Sequence, residues 1–368
     1  MKFVCDRQLL SSAAMNASRA VVAKSSVPAL EGLLIKTANN AVSITGYDLE
    51  KGITTNIAAS VENPGTIVVG ARIFCEILKK LDTDKVEIIS DNSLLVIIKG
   101  GKSEFSIMGS SAEDYPEMPV FESENTMSMD SSVLKEMIEQ TIFAVSTNEQ
   151  KPILTGTLFE VSDGVLNMVA MDGFRLAIRK EPVKGAADAS FVVPAKTLAD
   201  VSKMIEDDYP VTVSVSKKHI LFNFAGYQIL SRLLEGTFFD YKKAIPSTFT
   251  TSVKVSVRQF IDSIDRTALI ITDRLNSPIE ILFENDAVSF SCTTPLGKSY
   301  DEFPLSIEGK AIKIGFNNRF LLDALKATGC DEVILQFNGP LSPAIIKPLS
   351  SDSFVFLVLP VMLKDIKK

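Results

Sequence analysis

The sequence predicts an α+β protein of three tandem domains, each holding two helices and several mainly antiparallel strands. The first observation behind this is a short β-type run that feeds directly into an amphipathic helix and is used three times: over Ile67–Leu81, over Phe191–Ile205, and from Ile312 onward. With one extra residue before the third helix, Arg72, Glu76 and Lys79 fall on Lys196, Asp200 and Lys203, and again on Arg319, Asp323 and Lys326. The second observation is length. A chain of 368 residues exceeds one ordinary core, and the repeat spacing divides it into segments of about 120 residues, an ordinary domain size.

Each third opens with a helical pattern. Leu9 to Val22 returns as Val133 to Val145 and as Phe260 to Ile271, with Leu10, Leu134 and Phe260 in one register. The repeated stretch supplies the second helix. At about 100° per residue, Ile73, Phe74, Ile77, Leu78 and Leu81 share one face, while Arg72, Glu76 and Lys79 lie opposite. Apolar β runs follow: Val86–Ile89 and Leu94–Ile98, then Val211–Val215 and Ile220–Phe224, then Val333–Phe337 and Ala344–Ile346. Turn signals at Asp91-Asn92, Lys217-Lys218 and Asn338-Gly339-Pro340 separate the members of each pair. Turn-rich tails at Glu113–Pro116 and Phe238–Pro246 place the cuts near 126 and 250, giving domains 1–125, 126–249 and 250–368.

Composition narrows the class. Hydrophobic residues make up 46% and charged residues 23% of the chain, the profile of a soluble globular protein. No apolar run reaches the roughly 18 residues of a membrane span, and no charged-then-apolar signal region opens the chain. The expectation is a cytoplasmic protein with no membrane partner. Cys5, Cys75, Cys292 and Cys330 are scattered, without the close spacing of a zinc or redox site, and read as reduced core residues.

Catalytic groups are scarce. His219, the single histidine, lies in the turn Lys217-Lys218-His219 and reads as an exposed turn residue, which removes mechanisms needing a His pair and most metal sites. Gly100-Gly101-Lys102-Ser103 resembles the end of a phosphate-binding loop, but Val96 stands where that loop requires Gly. A hairpin between Leu94–Lys99 and Glu104–Met108 explains it better. The acidic pairs Glu113-Asp114 and Asp207-Asp208 sit in turns without basic partners and read as solvated loops. No catalytic residue, metal site or cofactor is expected.

A net charge of −7 says that the average surface repels DNA, yet all three second helices carry two cations about two turns apart. An exposed, solvated helix face and a face turned to phosphates both account for one such pattern, and its recurrence leaves both open. Head-to-tail repeats either close into a ring or run on as a filament. Two further stretches look shaped for binding. Asp172-Gly173 makes a tight turn between apolar strands. At the C-terminus, Phe354–Leu357 reads as an edge strand of its own domain, Pro360 stops pairing, and Val361–Leu363 is left for its own packing or for an exposed groove.

Asp114-Tyr115-Pro116, Pro152–Gly156, Asp172–Ala177, Gly236–Tyr241, Gly315-Phe316-Asn317 and the ending Leu359–Leu363, in this order and spacing, resemble the bacterial β sliding clamp family, processivity subunits of DNA polymerase III. The resemblance runs from Met1 to the C-terminus. It implies three DNA-clamp domains per chain and a homodimer closed head to tail into a six-domain ring, with helices lining a hole that holds double-stranded DNA without sequence preference. Lys24, Arg72, Lys79, Lys196, Lys203, Arg319 and Lys326 would then face the DNA. Ring closure would fall on Phe105 and Ile107 at one end and Ile270 and Ile271 at the other.

The resemblance also implies a groove between the second and third domains. It would receive a short peptide from the DNA polymerase III catalytic subunit, the clamp loader and other replication or repair proteins. Its walls would be Leu154, Met171, Gly173, Phe174, Arg175, Leu176, Phe239, Lys243, Ala244, Asn317, Phe320, Leu341, Pro343, Leu357, Val358, Leu359, Pro360, Val361, Met362 and Leu363. Met171, Phe174 and Met362 depart from common family forms, which implies a different peptide preference. The competing class is a monomeric three-domain interaction scaffold that touches no nucleic acid; an enzyme ranks third. Dimerisation separates the first two.

Overall fold

The structure, a computed structural model, describes residues 1–272 and 277–363. The six helices among these residues are α1 (Arg7–Ala17), α2 (Ala71–Lys80), α3 (Ser131–Ile142), α4 (Ala195–Met204), α5 (Val257–Ala268) and α6 (Asn318–Ala327). Side-chain caps start several of them. Asp6 accepts from the Leu9 amide, Ser256 from that of Gln259, and Asn317 from those of Arg319 and Phe320, each satisfying an amide that the first turn leaves open.

Each opening helix stops about a turn before its apolar pattern does. The Val21, Val145 and Ile271 amides reach back to the carbonyls of Ser18, Ile142 and Ala268. These three-residue bonds tighten the last turn out of α geometry. The shared register survives, for Leu10, Leu134 and Phe260 are each fully buried.

Contacts divide the chain into two units. The first comprises Met1–Ser132, Lys184–Ala186 and Asp200–Leu233; the second comprises Val133–Val183, Ala187–Ala199 and the chain from Leu234 on. In the first, a twelve-stranded sheet runs from the edge strand Ser103–Met108 to Asn125–Asp130. Strand Lys51–Asn63 pairs antiparallel with Tyr227–Arg232 inside it, so strands of the first and middle thirds share one sheet. Phe3, Leu10, Leu33, Phe74, Leu78 and Ile88 form the core beneath α1 and α2. The hairpin reading of Gly100–Ser103 holds: Leu95–Gly100 pairs with Ser103–Met108, and Gly101 takes the left-handed conformation (φ 59°) that a tight turn needs.

In the second unit, a nine-stranded sheet joins Arg175–Pro182 to Phe354–Val358, and a four-stranded sheet contains Ile279–Glu284, Ala287–Thr294, Gly297–Pro304 and Ile312–Phe316. Phe260, Phe283, Phe290, Phe316, Leu325 and Phe337 fill the core with α5 and α6. Phe260 meets Phe290 edge-on at 4.9 Å, a favoured aromatic geometry.

Two expectations are corrected. Phe354–Val358 is an interior strand between Ala344–Lys347 and Arg175–Pro182, with all five residues buried. Its unbroken apolar run suits a strand covered on both faces better than an edge. His219 is partly buried at the start of strand His219–Phe224, its backbone exchanging bonds with Ser216. Burial first, then the nearby Arg232 and Lys218, hold its pKa below the ordinary 6.5.

The cysteines are free; Cys5 and Cys292 are buried, while Cys75 and Cys330 are only half-buried. Burial pushes the Cys5 thiol up to about 12, which keeps it protonated and unreactive at neutral pH. Among the described residues no helix is long and apolar enough to cross a membrane.

Candidate functional site

The candidate site lies in the second unit and grows from the turn at Asp172. The Asp172 carboxylate accepts from the Phe174 amide (2.8 Å) and the Arg175 amide (3.0 Å), while Gly173 adopts φ 96°. Only Gly takes that conformation without strain. The turn presents Phe174, 60% exposed, and its ring stacks on Phe320 of α6 at 5.9 Å. Arg175, beginning the next strand, donates through Nε to Asp172 (3.0 Å) and through Nη1 to Asp323 of α6. Its guanidinium lies 4.6 Å from the Phe320 ring centre and 5.6 Å from that of Phe143, which packs edge-on against buried Phe356. With a side chain only 12% exposed, Arg175 braces the wall: its charge is already met by two carboxylates and its faces by aromatic rings.

A cleft of about 490 Å³ opens beside this brace. Of the expected groove residues it is lined by Leu154, Gly173, Phe174, Arg175 and Phe320. The sequence reading missed the stretch from Val145 to Asn148, together with Lys151. The Ser146 amide donates to Leu154 O, Asn148 N to Ser146 Oγ, and Gln150 N to Asn148 Oδ1. A signal was present in Ser146-Thr147-Asn148, polar residues that bond their own backbone where a helix ends. Lys151 also sits over the ring of Phe239, at 5.9 Å.

Leu341, Val361, Met362 and Leu363 do not line that cleft. They rim a second one of about 520 Å³, whose floor includes Glu280, Ser291, Thr293, Lys313 and Gly315. Between the two clefts runs Leu359–Val361: the Leu359 amide donates to Phe174 O and the Val361 amide to Gly315 O, both at 2.8 Å. Leu176, Leu357 and Val358 are buried behind the surface, and half-buried Met171 packs against the same cluster as the first two. Pro343 is half-buried ahead of strand Ala344–Lys347, and Asn317 caps α6. Phe239, Lys243 and Ala244 lie on an exposed segment, pinned where the Tyr241 hydroxyl donates to Glu160 at 2.6 Å.

Lys24, Arg72, Lys79, Lys196, Lys203, Arg319 and Lys326 are all exposed. The acid between the helix cations meets a different partner in each copy. Glu76 pairs with Arg72 on its own helix (3.6 Å), Asp200 with buried Lys51 and with Arg19, and Asp323 with Arg175. In α4 and α6 the acid thus has a partner off the helix, and the flanking Lys196, Lys203, Arg319 and Lys326 are exposed.

Phe105 and Ile107 lie on the edge strand Ser103–Met108, with Phe105 exposed and Ile107 half-buried. Ile270 and Ile271 are both half-buried just after α5. Ile271 packs against the unit's own core, while the neighbouring Leu269 is 82% exposed.

Three family models match the chain: DNA polymerase III beta subunit, N-terminal domain over residues 1–119, central domain over 128–240, and C-terminal domain over 242–362. A beta sliding clamp from Bacillus subtilis is 33% identical over 375 residues, covering 98% of this chain and 99% of that protein. A beta sliding clamp from Halalkalibacterium halodurans is also 33% identical, over 379 residues with the same coverage. Among solved structures, the DNA polymerase sliding clamp from Bacillus subtilis superposes with a TM-score of 0.95 at 32% identity, covering 99% of this chain and 100% of that one. A putative DNA polymerase III beta subunit from Eubacterium rectale superposes at 0.93 with 33% identity, covering 98% and 99%. Family models in chain order, and relatives matched nearly end to end, establish that this chain belongs to the DNA polymerase III beta subunit family, the bacterial beta sliding clamps.

Proposed function

We propose that the protein is a DNA sliding clamp. Two protomers close head to tail into a six-domain ring around duplex DNA, which tethers the replicative polymerase, the clamp loader and other replication or repair proteins. The observation that carries this reading is the exposed cation pair on α2, α4 and α6 of an otherwise acidic chain, a pattern suited to phosphate contact without base readout. The domains we assign are 1–125, 126–249 and 250–368; the three family models, over 1–119, 128–240 and 242–362, support the threefold division and place the second boundary a few residues earlier. Ring closure brings the edge carrying Phe105 and Ile107 against the segment carrying Ile270 and Ile271 of a second copy.

Partner peptides occupy the cleft beside Phe174 and Arg175. An apolar anchor or two buried there contributes on the order of 3 to 6 kcal/mol before the cost of ordering the peptide, so binding is moderate and exchange fast. The protein works in the cytoplasm as a tether and performs no chemistry of its own. Its mass in solution, measured together with retention on circular and linearised DNA, tests the function. A dimer held on circles and lost from linear DNA is the expected result; a monomer retained on neither would favour the interaction scaffold.

A further inference from the structure

We propose that Gly315 is a positioning residue that seats the C-terminal tail as the ridge between the two clefts; the proposal rests on the peptide-groove reading above. Gly315 is buried in strand Ile312–Phe316, opposite Glu280. Its backbone is outside the left-handed region, so the strand itself has no torsional need for glycine. The need comes from the tail. A Cβ at this position would lie 2.5 Å from Leu363 Cδ2 and 2.8 Å from the Val361 carbonyl oxygen. The leucine tip could turn away, but the carbonyl belongs to backbone and cannot move alone.

The same carbonyl belongs to the residue that anchors the tail. Leaving the sheet after Val358, the chain has two successive holds, Leu359 N on Phe174 O and Val361 N on Gly315 O. Pro360 between them has no amide to offer. The first hold ends on the residue whose ring forms the Phe174 side of one cleft, and the second on the floor of the other. Losing the Gly315 hold frees the outer part of the ridge, including Met362, which is 78% exposed and depends on the tail for its place.

The neighbouring residues have separate tasks, with Phe316 buried in the core and Asn317 capping α6. Side-chain size at Gly315 thus governs the groove through the tail.

The test uses Gly315→Ala and Gly315→Val in the full chain, with Val361→Pro as a variant that removes the tail's donor and leaves the strand untouched. Amide exchange at Val361 is followed in the Gly315 variants. All three are titrated by calorimetry with a short synthetic peptide carrying Gln followed by Leu and Phe anchors. The expected result is exchange at Val361 about tenfold faster and a Kd about tenfold weaker in the Ala variant, a larger loss in the Val variant, a similar loss for Val361→Pro, and unchanged sedimentation. Equal peptide affinity in parent and variants overturns the proposal alone, as does a Val361 amide still protected in Gly315→Val. A parent chain that does not bind the peptide overturns the groove reading itself.

Discussion

Helices α2 and α6 carry the same repeated pattern and use it differently. In α2, Ile73 follows Arg72 and is 47% exposed, and Glu76 meets Arg72 on its own helix, with both side chains largely in solvent. In α6, Phe320 occupies the position of Ile73 and lies under Phe174 and the Arg175 guanidinium, while Asp323 takes the position of Glu76 and pairs with Arg175. One copy remains a cation-bearing helix with an open flank; the other has become a wall. The repeat therefore supplies a scaffold whose outward cations are common to the copies, and one copy gains a second role through two positions that face a neighbouring strand.

The largest expected effect comes from the guanidinium that makes the difference. Arg175→Ala takes the counter-charge from the mostly buried Asp172 carboxylate, leaving it only its two amide donors, and strips the packing from Phe320, and should destabilise the protein by about 2–4 kcal/mol. Arg72→Ala, in an exposed pair, should change stability by no more than about 0.5 kcal/mol. Urea midpoints measure both, and equal losses would break the comparison.

Next in size is Phe320→Ile, which gives α6 the α2 residue. Losing the stack on Phe174 and the contact with Arg175 should weaken peptide binding by about 1 kcal/mol in a calorimetric titration. Unchanged affinity would place the peptide elsewhere.

The outward cations are where the two helices should behave alike. Removing Arg72 and Lys79 together, or Arg319 and Lys326 together, should each lower the salt dependence of DNA association by about two units of slope per protomer, up to about four for the dimeric ring, without sequence preference. A slope that drops for one pair alone would mean that the copies differ on this face too.

The smallest effect lies outside both helices. His219 is held below its ordinary 6.5 by burial and by Arg232 and Lys218, so the unfolded chain takes up its proton first as pH falls. Stability should be flat above that value and decline as pH drops below it toward the lower folded value. His219→Gln should shrink that decline, and melting temperatures at roughly pH 5 and 7.5 would show it.

Much of the molecule was legible in the chain. Three-to-four-residue periodicity marked every helix, the repeat aligned their cations, and Asp172-Gly173 announced its turn, because these signals act between residues close in sequence. Helix ends were read about a turn too long, since apolar periodicity continues through residues that have already left α geometry. Ordered short motifs carried the family resemblance.

What the sequence left open depends on which strands become neighbours. Arg175 and Asp323 are 148 residues apart, and nothing local to either predicts their meeting. The C-terminal run looked like an edge strand until pairing on both sides made it interior. Of the groove residues named from resemblance, some line one cleft and some another, because Leu359 is held by the turn at Phe174 and Val361 by the four-stranded sheet. By itself the sequence determined the repeat, the helices with their outward cations and the key turn. Strand order and register, set by burial across the whole sheet and not by any local pattern, decided which residues face one another.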